Sequence, residues 1–446
     1  MHLLFLRARG RHAFYASILM LVVSCGLLLA ACGGGNNTSG ASPNQDSNAP
    51  ITIWIDADRL TAINEFKQAF PDKASLIKYV VVDRNQFPAK VLLENNINLG
   101  WPDVVFAEPD LVAQVSDAAH HFPLDLSSYV SSDIQKNFAG LSACRINGKL
   151  VCLRNDLAQF VLWYNAPLMQ QFGYSVPTTW EEYEALGLRL AKEHPGYIIG
   201  EFADAFALDE YFWGGQCPLH QVTGDTLYTN LASPKCMRMA KLLDTLLPTG
   251  VLSRKSGYFD AGMTTLGNQN KILMLPGPSW MAEALFKGTY YKTANHQLAA
   301  GLPLKWAADS QAYTGALGGA AWTVSNHTKN IQLAVDFVKW VTTSPVYLGH
   351  AANFPAYLPT ADVWSKTISN DLLFASDPYP VLKQAAQELD PTYSYVRFDD
   401  RTIFGQAVVT PVLTSGATIS SKLADYQAQL VALAQAQGYQ VTTTGS

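Results

Sequence analysis

From residue 51 onward, short branched apolar runs alternate with segments of helical period, and this rhythm restricts the fold more than any other feature. Residues 51–55 (ITIWI) and 77–82 (IKYVVV) predict strands, and 104–106 predicts a third, buried one. Between them, 60–70 and 87–95 space their apolar residues as amphipathic helices do. A β-α-β-α-β order implies a mostly parallel sheet with helices on both faces. Such sheets bind ligands beyond the carboxyl ends of their strands. The loops of interest therefore hold Asp56, Asp58 and Arg59 after the first strand, and Glu108 and Asp110 after the third. Asp156 follows a further strand expected at 149–153. Later segments continue the alternation, with a helix at 180–193 opened by Thr178 or Thr179, a strand at 272–275, and helices at 328–342 and within 417–437. That is too much chain for one such sheet, so two α/β lobes are expected.

The start of the chain is different. Arg7, Arg9 and Arg11 precede an apolar run over 14–30, which ends in Leu29-Ala30-Ala31-Cys32-Gly33. A basic start, an apolar core and small residues before a cleavage point describe a secretory signal. The last four of those residues look like a bacterial lipobox, in which Cys32 is acylated and becomes the new N-terminus. The expected organisation is thus a signal peptide over 1–31 and a lipid-anchored tether over 32–50. Residues 33–50 are rich in Gly, Ser, Asn and Pro without apolar period, which predicts a flexible linker. The protein is expected outside the cytoplasm, held to a membrane that it does not cross.

With residues 1–31 removed, 28 basic side chains face 36 acidic ones. That balance offers no basic face for nucleic acid. Four cysteines remain beyond the leader and Cys32, an even number that suggests two disulfides in an exported protein. Cys144 and Cys152 flank Asn147-Gly148, a hairpin turn signal that brings the two sulfurs close. Cys217 and Cys236 then close a longer loop, although four cysteines allow three connectivities. No C-x-x-C pair or histidine cluster accompanies them, which argues against zinc, and no cofactor is expected. His120 and His121 are adjacent and point apart, as surface residues do. Asp399-Asp400 reads as a solvated loop or a cap. Phosphate-loop, zinc-protease and nucleophile-elbow motifs are absent; Gly277-Pro278-Ser279-Trp280-Met281 lacks the final glycine. Carboxylate pairs are too common here to support or exclude a glycosidase.

Several stretches carry a resemblance. They are Pro102-Asp103-Val104-Val105-Phe106; Leu162-Trp163-Tyr164-Asn165 continuing to Pro177-Thr178-Thr179-Trp180; Lys271-Ile272-Leu273-Met274 with Gly277-Pro278-Ser279-Trp280; and Gly318-Gly319 followed by Trp322. In this order they resemble the extracellular solute-binding proteins of ABC importers, the maltose-binding-like family. Asn270 stands where that family usually has glycine, and the cysteines are not a general family trait.

The resemblance implies a periplasmic-binding-protein-like fold of type II: two discontinuous α/β lobes with a ligand cleft between them. The expected division assigns 51–157 and 313–360 to an N-terminal lobe, and 158–312 and 361–446 to a C-terminal lobe. It further implies a monomeric binding subunit, not an enzyme, that passes a sugar or oligosaccharide to a membrane permease. Other polar solutes (a polyamine, a polyol phosphate) and a secreted carbohydrate-active enzyme are the alternatives. A sugar needs rings for its apolar face and carboxylates or amides for its hydroxyls. Trp280 is the leading candidate, because the family's Gly-x-Trp places that ring in the cleft. Asp56, Asp58, Glu108 and Asp156 are the candidate hydrogen-bonding groups from the post-strand loops. Tyr211, Phe212 and Trp213 form a second aromatic cluster that lines either the cleft or the core, and Asn353 and Arg397 complete the set. Tyr164 reads as a support of the hinge strand and Trp180 as a packing residue at a helix start.

Overall fold

The computed structural model describes residues 45–444 except 98, 118 and 119; the leader, most of the tether and Cys32 lie outside the described residues. The first strands form where the apolar runs predict them. Ile51–Ile55 pairs in parallel with Ile77–Val81 on one side and Val104–Ala107 on the other. Helix Leu60–Ala69 buries Ala62, Ile63 and Phe66, and helix Phe87–Ile97 makes the next crossover.

The sheet stays mostly parallel, as expected, with one strand reversed. Ala321–Val324 runs antiparallel beside Val104–Ala107, and Leu153–Arg154 runs antiparallel to it, completing five strands. The route of the chain explains the direction. Leu153–Arg154 points the same way as the parallel strands, so the chain leaves this lobe at their carboxyl end. It builds the second lobe there and returns from the same end, and the returning strand must run backwards.

In the second lobe Phe160–Asn165 is the middle of three strands, antiparallel to both Met274–Pro278 and Leu298–Gly301. The strand expected at 272–275 is therefore shifted: Ile272 makes only an isolated bridge with Ile198, and Gly277 and Pro278 belong to the ladder. Pro278 is tolerated because this strand is at the sheet edge, where a missing N–H leaves no neighbour unpaired. Helix Trp180–Glu193 forms as predicted. Thr179 Oγ1 accepts the Glu182 N–H at 3.1 Å, and the Glu182 carboxylate accepts the Thr178 N–H at 2.7 Å. The final long helix, Ile419–Ala436, is capped from outside its own sequence: Asp244 accepts the N–H groups of Ile419 and Ser420 at 2.6 and 3.1 Å.

Buried apolar residues divide into two cores. In the first, Phe66, Phe337 and Trp322 meet edge to face at 5.0 and 5.3 Å. In the second, Trp180 packs on Tyr183 at 5.6 Å, and Phe404 on Tyr426 at 5.3 Å.

Both disulfides pair as the spacing suggests, Cys144–Cys152 with a Cα separation of 5.0 Å and Cys217–Cys236 with 4.5 Å. Arg145–Ile146 and Lys149–Leu150 form the hairpin around Asn147 and Gly148, which adopt φ of 50° and 77° as a primed turn demands. The single strand expected over 149–153 is two strands, since Leu153–Arg154 leaves the hairpin to join the large sheet. The end of the expected tether is also more ordered than its composition suggests. Asn330 Nδ2 donates to the carbonyls of Ser47 and Ala49 at 2.9 Å, and the Asp46 N–H bonds the Lys329 carbonyl at 2.8 Å.

Candidate ligand cleft

Two crossing segments, 155–160 and 314–320, run antiparallel between the lobes. The N–H of Asn155 bonds Ala320 O at 2.9 Å, that of Leu317 bonds Ala158 O at 3.2 Å, and that of Phe160 bonds Gly315 O at 3.1 Å. Asp156 lies inside this crossing and is 3% exposed. Its carboxylate accepts from Asn155 and Asn353, both at 3.0 Å, and from the Ala320 N–H at 3.3 Å. The sequence points Asp156 and Asn353 at ligand; the Asp156 carboxylate is instead occupied by the crossing strands and by Asn353, whose Nδ2 is spent on it. Arg154, 1% exposed, donates to Gly319 O at 3.3 Å and Asp156 O at 3.4 Å. Gly319 has φ +77°, and a Cβ there would collide with Arg154 Nη2, so glycine is required by both conformation and space.

Gly318 is the point where candidates from the two lobes converge. A Cβ on it would lie 3.6 Å from Trp280 Nε1 and 4.0 Å from Glu108 Oε1. Trp280 follows the edge strand Met274–Pro278 and donates its indole N–H to Leu317 O at 2.7 Å. One face of the indole is stacked on Phe259, with ring centroids 5.8 Å apart and planes at 18°. Phe259 is itself 44% exposed and meets Tyr290 edge to face at 5.3 Å. Beneath this aromatic wall the Tyr258 hydroxyl donates to Glu210, whose carboxyl pKa burial drives well above the usual range.

The first lobe supplies the facing groups. Arg59 lies over the Phe106 ring at 4.4 Å. Burial works against its charge, but Asp156, Tyr347, Asp56 and Asp58 outweigh it and hold the guanidinium charged. Arg59 Nε and Asp56 Oδ1 are buried without a hydrogen-bond partner. Asp58 is exposed beside them.

Further along, Arg401 bridges Asp209 and Asp110. It donates from Nε to Asp209 Oδ2 at 2.7 Å, while Nη1 lies 3.5 Å from Asp110 Oδ2. Burial raises the pKa of both Asp209 and Asp400 to about 6, and Arg401 opposes the rise. Asp399 is the cap of helix Asp400–Phe404, accepting the Thr402 N–H at 3.0 Å, whereas Asp400 faces His220 at 3.5 Å.

The other candidates go elsewhere. Tyr211 and Phe212 are fully buried in the second core, where Phe212 meets Phe404 at 5.7 Å. Trp213, 5% exposed, stacks on Tyr393 at 3.6 Å. These rings sit on a π-helical turn, Leu208–Trp213, and are buried in the second core, with Trp213 against Gly315 of the crossing. Arg397 is paired with Asp225 at 2.5 Å and lies over Tyr439 at 4.6 Å. It lines a cavity of about 420 Å³ between the Arg145–Gly148 hairpin and residues 222–224, a cavity that Trp280 does not line. Neither Phe259 nor Arg401 is marked in the sequence: Phe259 follows no recognisable strand, and Arg401 follows Asp399-Asp400, which reads only as a loop or a cap. Among the described residues no group of three or more His, Cys, Asp or Glu is arranged to hold a metal ion, and no helix is long and apolar enough to cross a membrane.

Comparison with known proteins agrees with this architecture. The family model of bacterial extracellular solute-binding proteins matches residues 61–375. The multiple sugar-binding protein of Streptococcus mutans is 22% identical over 361 residues, covering 73% of this chain and 78% of that protein. Among solved structures, the galacto-N-biose/lacto-N-biose I-binding protein of a Bifidobacterium longum ABC transporter, in complex with lacto-N-biose, superposes with a TM-score of 0.72 at 17% identity, over 90% of this chain and all 100% of that one. The ABC transporter associated binding protein of B. animalis subsp. lactis Bl-04, in complex with β-1,6-galactobiose, gives 0.70 at 19% identity, over 88% and 99%. At these identities the structural likeness is one of fold: two discontinuous α/β lobes with a cleft between them.

Proposed function

Because this chain belongs to the bacterial extracellular solute-binding proteins, we propose that it captures a sugar or oligosaccharide in its inter-lobe cleft and delivers it to the permease of an ABC importer. The observation that carries the reading is the convergence at Gly318. There an indole backed by an exposed ring comes from one lobe and a carboxylate from the other. Rings cover the apolar face of a pyranose, and Glu108, Asp56 and Arg59 take its hydroxyls. The sugar-bound relatives support the class of ligand. The protein does no chemistry in this reading: ligand contacts made from both lobes favour the closed state, which the permease recognises.

In the same reading Cys32 carries the lipid anchor and the protein acts as a monomer outside the cytoplasm. The N-terminal lobe comprises 51–157 and 313–360, extended by helix Leu358–Ile368. That helix is tied to the N-terminal lobe by Thr360 Oγ1 to Thr343 O at 2.9 Å and Trp364 Nε1 to Ala351 O at 2.7 Å. The remainder of 158–446 forms the other lobe.

Residues 42–446 form one unit that contains every described strand, helix and disulfide, so this segment suits the test. Its thermal unfolding is to be followed against sugars, polyols, polyamines and phosphates. A sugar at 100 times its Kd adds about 2.7 kcal/mol, and Trp280→Ala abolishes the shift while leaving the fold intact. A shift with polyamines alone, or with phosphates alone, refutes the sugar reading.

A further inference from the structure

We infer that Arg401 is a positioning residue for lobe closure, a guanidinium fixed to its own lobe by Asp209 that clasps Asp110 of the opposite lobe. The inference rests on the two-lobe binding reading above. Arg401 belongs to the short helix Asp400–Phe404, which Ile403 and Phe404 anchor in the second core. Its Nε and Nη2 donate to the two carboxylate oxygens of Asp209 at 2.7 and 3.4 Å. Asp209 is 1% exposed and stands on the buried turn Leu208–Trp213, so the fork is held by a rigid partner. What remains is Nη1, which faces Asp110 Oδ2 at 3.5 Å. Asp110 comes from the other lobe, in helix Pro109–Gln114 immediately after the strand Val104–Ala107 and two residues from Glu108.

An ion pair between two free surface side chains contributes little, because both must be ordered and water screens them. Here one partner is already immobilised when its own lobe folds, and both side chains are three-quarters shielded, at 24% and 23% exposure. The guanidinium needs no further ordering when the lobes meet. Other ion pairs of the second lobe, such as Arg238–Asp309 and Arg397–Asp225, close within that lobe and are indifferent to its approach. A contact present only when the lobes are together shifts their equilibrium toward closure whether or not ligand is bound. It also holds the Asp110 carboxylate in place beside the candidate Glu108, so ligand specificity and closure share one charge pair.

The test needs no ligand. Spin labels are attached to residues 42–446 at Asp72→Cys and Lys192→Cys, exposed positions on the two lobes, and the inter-label distance distribution is measured. Asp110→Asn is expected to raise the ratio of open to closed populations by about two- to fivefold. Salt at about 1 M does the same to the parent protein but leaves Asp110→Asn unchanged, because the pair it screens is gone. Arg401→Lys retains the charge without the fork and falls between the two. An Asp110→Asn distribution identical to the parent's at low salt, or a parent that ignores salt, overturns the clasp. Since no sugar enters these measurements, a failed sugar panel and a failed clasp are separately visible.

Discussion

His220 has no exposed side-chain surface and sits between the Tyr393 hydroxyl, 3.3 Å from Nδ1, and the Asp400 carboxylate, 3.5 Å from Nε2. Burial pushes its pKa down to about 4, against the attraction of Asp209 and with the repulsion of Arg401. The imidazole is therefore neutral in the folded protein, while in the unfolded chain it protonates near 6.5. Its contribution to stability is complete above that value and is lost as pH falls through 4. Asp209 and Asp400, raised to about 6, act with the opposite sign: their contribution is complete below the unfolded carboxylate pKa and is lost as pH rises through 6. Comparing the wild type with His220→Gln isolates the histidine. The wild type is expected to lose on the order of 3 kcal/mol more than the variant between about pH 7 and pH 4 in urea titrations. Parallel pH profiles contradict the assignment. None of this is legible in the sequence, where His220 stands alone and its partners are more than 170 positions away.

At the scale of elements, Asn330 does two jobs with one amide. Its Oδ1 accepts the Leu333 N–H at 3.2 Å to cap helix Ile331–Thr343, and its Nδ2 ties down Ser47 and Ala49. Asn330→Ala removes a cap and two part-buried bonds, an expected loss of about 2–3 kcal/mol with faster amide exchange over 45–50. Thr179→Ala removes only an exposed cap, so about 1 kcal/mol is expected there. Equal losses in the two variants count against a structural role for residues 45–50. Helix Trp180–Glu193 is legible in the sequence to the residue, because its cap, its first-turn acids and its apolar period agree. The strand direction of Ala321–Val324 is not, because nothing in its own four residues encodes the route by which a chain returns.

For the whole molecule, Cys217–Cys236 joins the end of the Leu208–Trp213 turn to the first turn of helix Pro234–Leu246. The link spans 19 residues, so replacing both cysteines by serine is expected to cost about 3 kcal/mol, read as a lowered urea midpoint. The same turn carries Asp209, the anchor of Arg401, which makes the second lobe's rigidity a condition for contact across the cleft. A midpoint unchanged by the double substitution refutes that stabilising role.

Local sequence is enough to specify the first strands and helices, the Asn147-Gly148 hairpin and the cap of helix Trp180–Glu193. Period, caps, turn residues and small motifs are short-range properties that a few adjacent residues express. The folded chain alone sets Ala321–Val324 backwards in the first sheet, and occupies the Asp156 carboxylate with Asn353 and the crossing strands. It turns Phe212 and Trp213 into the core and brings Phe259 and Arg401 to the cleft. In each case the fate of a side chain depends on a partner far away in the chain, and burial, not local pattern, settles which polar groups remain available to a ligand.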